Sequence, residues 1–484
     1  MQEERPNILL IMTDQHRGDC LSLMRHPVVQ TPNLDTIGGS GAAFSRCYST
    51  CPSCIPARRS LLSGQFPATH GMVGFSDGAE WHPSTTLPEE LRQAGYQTAL
   101  IGRTMHQWPR NKGFGFEHQN LVVGGDGQFP TERELAIAKQ HPADGTLGGG
   151  AHGIDGNGWV ARPWHLDESL HAVHWTVTEA IKWLWRRDPT RPYFLVVSFN
   201  PPHPPSVPPA HYLERYLAMA LPEPVIGEWA ERPEDDGLGL PPASHRCVLE
   251  GERARNAQAG YYGAINYVDD QVGRLLGSHG GKPNDALHNT IIAHTSDHGE
   301  MLGDHYMFRK CWPYEGSARV PFMIKGPGIQ RRVRHDHPVC LEDLMPTLLD
   351  LVGLEIPNSV DGQSLAPILR GESEVPVRPY LHGEHSPCYD QDHANHYLVD
   401  RQWKYVWFPH DGREQLFHLT DDPQERFDRA NDPAYAATLR QWRQRLVEQL
   451  QDRPEGFVAK GELVAGRPYE TRMSHVSQEW GGAF

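Results

Sequence analysis

The chain is short of positive charge: 45 Lys and Arg face 60 Asp and Glu, a formal charge of −15 with histidine neutral. An electropositive track along nucleic acid, or attraction to an anionic bilayer, is therefore not expected. A small anion in a locally basic pocket remains compatible with that balance. Membrane-length apolar runs are also missing. The opening run Asn7-Ile-Leu-Leu-Ile-Met-Thr13 is too short for a span and lacks the flanks of a signal peptide, so no membrane partner and a cytoplasmic location are expected. Cysteine is scarce, eight in 484 residues, which excludes a disulfide scaffold. Cys20, Cys247, Cys311, Cys340 and Cys388 stand singly, and only Cys47, Cys51 and Cys54 cluster. No internal repeat is visible.

What is present is enough chain for one large domain and a smaller one, since 484 residues exceed what one core usually organises. Apolar runs at 7–13, 97–101, 193–199 and 290–295 alternate with helical patterns, the signature of parallel strands joined by crossover helices, so the fold class is α/β. Leu170, Val173, Val177, Ile181 and Leu184 form one apolar stripe; Tyr261, Ile265, Val268, Val272 and Leu275 form another. Glycine crowds 124–160 and proline crowds 201–243, which predicts loops there. From about 376 the pattern becomes strand-like at 397–399, 403–408 and 415–419, with a turn at Asp411-Gly412 and a helix near 433–451. The expected division is 1–375 for a catalytic domain and 376–484 for a small antiparallel α+β unit.

Two strand ends carry chemistry. Asp14-Gln15 closes the first apolar run and Asp297-His298 closes a later one, placing both pairs at the carboxyl edge of a parallel sheet, where ligands bind. Oxygen donors from Asp14, Asp297 and the Gln15 amide suit a calcium-like ion, while His298 favours manganese or another transition metal. One divalent cation is expected, calcium first and manganese as the alternative. The segment from Cys51 to Gly64 has two readings, because Cys51-x-x-Cys54 is also the spacing of a redox dithiol. A helix starting near Pro56 would aim free N–H groups at an anion, with Arg58 adding a fixed cation.

Cys54-x-Pro56-x-Arg58, followed by Leu61-Leu-Ser-Gly64, resembles the signature of the sulfatase family, in which that cysteine is oxidised to formylglycine. Matching motifs run from Asn7 to Phe322 and resume at 415–425. The resemblance implies an alkaline-phosphatase-like fold: a mixed, mainly parallel sheet between helices, then a small antiparallel sheet with a helix. It implies metal ligands at Asp14, Gln15, Asp297, His298 and residue 54, with Gln15 standing where the family usually has a second Asp. That departure is similar to members acting on choline sulfate or phosphonate monoesters. The resemblance further implies a hydrated aldehyde at residue 54 as nucleophile, His203 as general acid and Lys310 bridging sulfate and leaving oxygen. Gly102-Arg-Thr-Met-His106 approximates the family's Gly-Lys-x-His stretch and brings in Arg103 and His106.

The implied reaction is hydrolysis of a small-molecule or sugar sulfate ester, with an enzyme that generates formylglycine as a required partner. Whether the chain forms a homo-oligomer is open. Phosphonate monoester or phosphodiester hydrolysis is the alternative within the family; a dithiol redox protein and a non-catalytic anion binder are the alternatives outside it. Loops at 104–165, 204–245 and 385–395, carrying Trp108, Trp159, Trp164 and Trp229, are expected to read the organic half of the substrate.

Overall fold

The computed structural model describes residues 5–122, 131–142, 152–154, 156–234, 245–278, 287–373 and 378–473. Its larger sheet is built from β1 (Asn7–Asp14), β2 (Ala42–Tyr48), β3 (Gln97–Gly102), β4 (His118–Leu121) and β5 (Tyr193–Pro202). It is completed by β6 (Thr290–Ser296), β7 (Arg319–Lys325), β8 (Val333–His335) and β9 (Val339–Cys340). The spatial order is β4-β3-β5-β1-β6-β7-β2-β8, with β9 also on β2. Pairs from β4 to β6 are parallel, while β7 runs antiparallel to both β6 and β2. The mixed, mainly parallel α/β expectation holds.

Strand residues alternate between two buried faces. Ile8, Leu10, Met12, Phe194 and Val196 meet one apolar cluster, and Leu9, Ile11, Leu195 and Val197 meet another. A sheet greasy on both sides needs helices on both sides. Helices α1 (Pro32–Ser40), α2 (Cys54–Ser63), α3 (Ala172–Arg186), α4 (Gly251–Gly277) and α5 (Leu344–Leu351) supply that cover. Ala57, Leu61 and Leu62 of α2 and Leu344, Leu348 and Leu349 of α5 pack on the first face. The second face receives Ile37 of α1, Val173 and Val177 of α3, and Val268 and Val272 of α4. Both predicted helical stripes are present, except that Leu170 belongs to a separate 3-10 turn, Glu168–Leu170.

A second sheet, β10 (Leu381–His385), β11 (Asn395–Val399), β12 (Trp403–Trp407) and β13 (Glu414–His418), is antiparallel in simple meander order. Tyr397, Val399, Val406 and Phe417 pack one face against Tyr48, Met301 and Tyr314 of the larger unit. Leu398, Tyr405, Trp407 and Leu416 pack the other against Trp442, Leu446 and Leu450 of α6 (Ala436–Leu450). The division expected at 375/376 falls within residues 374–377, outside the described residues. Among the described residues, no helix is long and apolar enough to cross a membrane.

Two loop expectations fail in part. Within 124–160 lies a helix, Glu132–Gln140, started by a capping box in which Thr131 and Glu134 each take the other's backbone N–H. Within 201–243 lies Ala210–Leu217, which buries Tyr212, Leu213 and Tyr216. Prolines flank these short helices, Pro130 and Pro142 around one and Pro209 and Pro222 around the other, and composition averaged over a long window hid the few residues between. The glycine-rich 143–151 stretch lies outside the described residues.

Candidate active site

Three neighbouring parallel strands end together. Thr13 on β1 pairs with Ser296 on β6, and Asp14 lies opposite Pro202 on β5, so Asp297 and His203 follow one residue later on either side. The β-order alone thus brings Asp14, Asp297 and His203 to one edge, as a carboxyl-end site requires. Gln15 turns the chain away with φ 68, and its N–H donates to Asp297 Oδ1 at 3.1 Å.

Helix α2 points into this edge. It begins at Cys54, two residues before the predicted start, with Ser53 as N-cap. Its first intrahelical bond runs from Ala57 N–H to Ser53 C=O at 3.0 Å, and Pro56 carries no N–H. The positive end of the helix therefore falls at the Cys54 side chain. All ten α2 residues are buried. Cys54 Sγ lies 3.2 Å from His298 Nε2 and 3.4 Å from Lys310 Nζ.

Arg58, one turn along α2, reaches inward. Its Nε donates to Asp297 Oδ2 at 2.8 Å, its Nη2 to Asp14 Oδ2 at 2.9 Å and its Nη1 to Thr104 C=O at 2.9 Å. Rather than standing free for an anion, this guanidinium clamps the two carboxylates and leaves their Oδ1 atoms facing inward. Those atoms lie 3.7 Å (Asp14) and 3.8 Å (Asp297) from His298 Nε2. His298 Nδ1 is 3.0 Å from the Gly299 carbonyl; donating there fixes the tautomer and leaves Nε2 turned to the carboxylates. Ligand atoms of Asp14, Cys54, Asp297 and His298 all lie within 4.8 Å of one another. Two carboxylate oxygens and an imidazole nitrogen converging in a buried space fit a divalent cation.

The remaining residues form an outer arc. Lys310 Nζ donates to the Gln15 amide oxygen at 3.2 Å and lies 2.9 Å from His203 Nε2. The Gln15 amide nitrogen donates to Glu300, a buried carboxylate that also accepts the Leu302 N–H at 2.8 Å. Arg103 Nε lies 2.5 Å from Asp14 Oδ2, and its guanidinium also meets Asn200. His106 sits half-buried nearby, in a left-handed conformation with φ 56. Glu300 and Asn200 were not foreseen. Glu300 directly follows Asp297-His298-Gly299, but nothing in that spacing says that it orients Gln15.

Electrostatics follow from this packing. Burial would raise the Asp14 carboxyl, yet Arg103, His203, Arg58 and His298 outweigh it and hold the group well below the carboxylate range. Burial and Asp14 push the Cys54 thiol up, whereas Lys310 and His298 pull it below its ordinary value. Burial together with Lys310 drives His203 well below the usual imidazole range, so at neutral pH it is neutral. Its Nδ1 lies 2.6 Å from the Pro204 carbonyl, which assigns the proton there and makes Nε2 an acceptor from Lys310. Burial also holds His106 well below the usual imidazole range, with Arg103 and Arg58 adding to the effect.

Two aromatic expectations change. Trp229 stacks on Tyr314 and donates Nε1–H to Glu425 C=O at 2.7 Å, binding a loop to the second sheet rather than opening toward substrate. Trp159 is buried against Phe308, with centroids 4.5 Å apart. Trp108 and Trp164 remain half-buried.

Comparison with known proteins agrees with this geometry. A family model described as Sulfatase matches residues 6–354, and one described as N-sulphoglucosamine sulphohydrolase, C-terminal, matches 303–452. An arylsulfatase of Clostridium perfringens (strain 13 / Type A) is 39% identical over 98% of this chain and 100% of its own length. A choline-sulfatase of Rhizobium meliloti (strain 1021) is 32% identical, covering 90% of this chain and 84% of its own. Among solved structures, a phosphonate monoester hydrolase of Agrobacterium radiobacter superposes with a TM-score of 0.75 at 26% identity, over 96% of this chain and 100% of that one. Matches of this length leave no large part of the chain outside the comparison. The chain belongs to the sulfatase family, sulfuric-ester hydrolases with the alkaline-phosphatase-like fold.

Proposed function

We propose that this edge of the sheet hydrolyses a sulfate ester, with residue 54 as nucleophile after oxidation of its thiol to formylglycine. The observation that carries the reading is the position of Cys54: a buried helix N-terminus whose side chain meets Lys310 and His298. Cys54 Sγ stands where an oxygen of the hydrated aldehyde would sit. Asp14, Asp297, His298 and that oxygen would hold one divalent cation, calcium with manganese as the alternative, and the Gln15 amide oxygen is a further donor. When bound, the cation supplies positive charge next to the nucleophile and the sulfuryl oxygens.

The chain's own residues divide the remaining work. Arg58 is a positioning residue, holding the outer oxygens of Asp14 and Asp297 so that the inner ones converge. Lys310 lies between residue 54 and His203, close enough to hold a sulfuryl or leaving oxygen as charge develops on it. His203 is the general acid in this reading. Burial and Lys310 keep it neutral in the free enzyme, but a bound sulfate ester brings negative charge that opposes both and favours the imidazolium. Arg103, beside Asp14 and Asn200, and the half-buried His106 would meet the ester in this reading. An enzyme that converts Cys54 is a required partner, and the substrate is a small-molecule or sugar sulfate.

A phosphonate monoester or phosphodiester is the second reading, favoured by the likeness to the phosphonate monoester hydrolase and by Gln15 in the ligand pair. A dithiol activity is disfavoured because burial and Glu384 push the Cys51 thiol well up, away from a reactive thiolate. The test is turnover of an aryl sulfate, an aryl phosphonate monoester and an aryl phosphodiester side by side. It uses added calcium or manganese and protein whose residue 54 has been verified by mass spectrometry. Preference for the aryl sulfate is expected. Preference for either phosphorus ester would replace the first reading with the second. No turnover of any of the three by fully converted protein would defeat both.

A further inference from the structure

Residues that stand alone in the sequence meet beside the active edge. Cys311 follows Lys310, and Cys388 lies in the loop after β10, yet their Sγ atoms are 3.0 Å apart and both are free thiols. The third member is His385, the last residue of β10. Ligand atoms of Cys311, His385 and Cys388 lie within 4.8 Å of one another.

His385 is the decisive observation. It is fully buried, and its Nδ1 lies 2.6 Å from the Ser386 carbonyl, so the proton belongs on Nδ1. Nε2 is left with a lone pair and no hydrogen-bond partner among the described residues. Leaving a buried imidazole nitrogen unsatisfied forfeits its hydration with nothing in return, so such a group ordinarily has a partner. Here the groups beside it are two thiols.

The cluster is held rigidly. Cys311 donates its N–H to Pro52 C=O at 2.8 Å, and its own carbonyl accepts from Asn395 Nδ2 at 3.1 Å. Its φ of 75 turns the side chain out of the Lys310 segment toward β10. On the other side, Glu384 N–H bonds Thr50 C=O and Ser386 N–H bonds Val73 C=O, each at 2.7 Å. Cys388 is half-buried, which leaves a route from solvent.

We infer that Cys311, Cys388 and His385 Nε2 form a second metal site, one for a thiophilic ion of the zinc class. It is separate from the oxygen-rich centre at Asp14 and Asp297. Two thiolates and one imidazole are a zinc donor set, with the fourth position left to water. Binding displaces one proton from each thiol to solvent, and the two thiolate charges neutralise the dication. Calcium and manganese favour oxygen donors, so the two sites select different ions. Bound metal would tie the segment bearing Lys310 to the second sheet, giving this site a structural role next to the chemistry.

The test uses full-length Cys54→Ala protein, purified under reducing conditions, so that the active-site thiol contributes no signal. Titration with cobalt(II) is expected to produce thiolate-to-metal charge-transfer absorption that saturates at one equivalent and is displaced by zinc. Adding Cys388→Ser should abolish the band. Adding His385→Gln should weaken zinc binding about tenfold or more, whereas adding Cys51→Ala should leave it intact. Circular dichroism confirms folding of each variant, and if the Cys388 variant does not fold, the His385 variant decides. The inference is overturned by a cobalt band that survives loss of Cys388, by zinc affinity unchanged in the His385 variant, or by freely titratable thiols with no band. A Cys311–Cys388 disulfide that persists under reduction, seen as loss of two hydrogens in the intact mass, would overturn it as well.

Discussion

Two clusters of buried charge, one at the active edge and one where the second sheet meets the larger unit, are built on different terms. In the C-terminal cluster, Lys404 Nζ lies 2.8 Å from both Glu315 and Glu425, in contacts that are ionic rather than well-aligned hydrogen bonds. Arg453 meets Glu384 at 2.9 Å, and the Tyr469 hydroxyl meets the same carboxylate. Each charge there is closed by a neighbour of opposite sign. At the active edge, Arg58 and Arg103 satisfy only the outer oxygen of Asp14, and Arg58 alone the outer oxygen of Asp297. The inner oxygens meet no cation, that of Asp297 accepting only the Gln15 and His298 N–H groups, and with His298 Nε2, the residue-54 side chain and Lys310 they face a common space. A closed cluster holds a fold together; one left open on its inner side is fitted to receive an ion and an anion. Burial alone does not distinguish the two, because Lys404 and Arg58 are equally buried.

Substitutions can break this comparison at either cluster. The largest expected effect is Cys54→Ala, which should lower sulfate-ester turnover by about 10^4-fold or more while the protein stays folded. Cys51→Ala should keep activity per folded molecule. Equal losses from both would return the dithiol reading, and aryl sulfate kinetics with intact mass as control separate the cases. Next is Lys310→Ala, expected to lower kcat by about 10^2–10^3-fold, the scale of losing one group that stabilises developing negative charge. Its melting temperature should change little, because the half-buried Lys310 closes no ion pair among the described residues. A kcat unchanged within error would remove Lys310 from the chemistry.

The mirror-image variant is Lys404→Met. It leaves Glu425 buried without its cation and Glu315 with Arg319 alone, which should cost about 3–5 kcal/mol by denaturant unfolding. Turnover per folded molecule should remain that of the parent. If Lys404→Met instead lowered kcat at full stability, the division between a closed structural cluster and an open catalytic one would fail.

Much of the active edge was readable because its signals are local. An apolar run ending in Asp14, another ending in Asp297, and the Cys54-x-Pro56-x-Arg58 motif each lie within a few residues of sequence. Strand order then did the assembling. What escaped depends on tertiary placement. Arg58 reads as an anion-binding cation until β1 and β6 are seen side by side, and only then is it a clamp on two carboxylates. Gln15 needs Glu300, 285 residues away, to fix its amide. Cys311 and Cys388 are 77 residues apart, and no spacing rule pairs them. Strand β2 was missed for a different reason: Ser45 and Arg46 interrupt its apolar pattern where its pairing with β7 shifts register. Strands β11 to β13 of the second sheet were legible because short turns join them, whereas β10, reached through residues 386–394, was not.

The smallest expected effect is a pH dependence, and it sharpens the comparison from the closed side. Burial, with the charge of Glu315, pushes Glu425 up to about 7 despite Lys404. Burial would raise Glu315 too, but Lys404 and Arg319 outweigh it and bring that group down to about 2. The two carboxyls titrate as a pair with opposite linkage. Glu425 binds its proton more tightly folded than unfolded, so its contribution falls as pH rises from the unfolded carboxyl range near 4.5 to about 7. Glu315 stabilises the fold above that range, and this contribution is lost as pH falls toward about 2. Glu425→Gln should therefore flatten the decline in melting temperature between pH 5 and 7, an effect of about 1–2 kcal/mol, and leave the acid limb in place. Glu315→Gln should do the reverse. If neither variant changed its own limb of the stability profile, the pair would not be sharing Lys404 in solution, and the C-terminal cluster would not be closed in the sense used above.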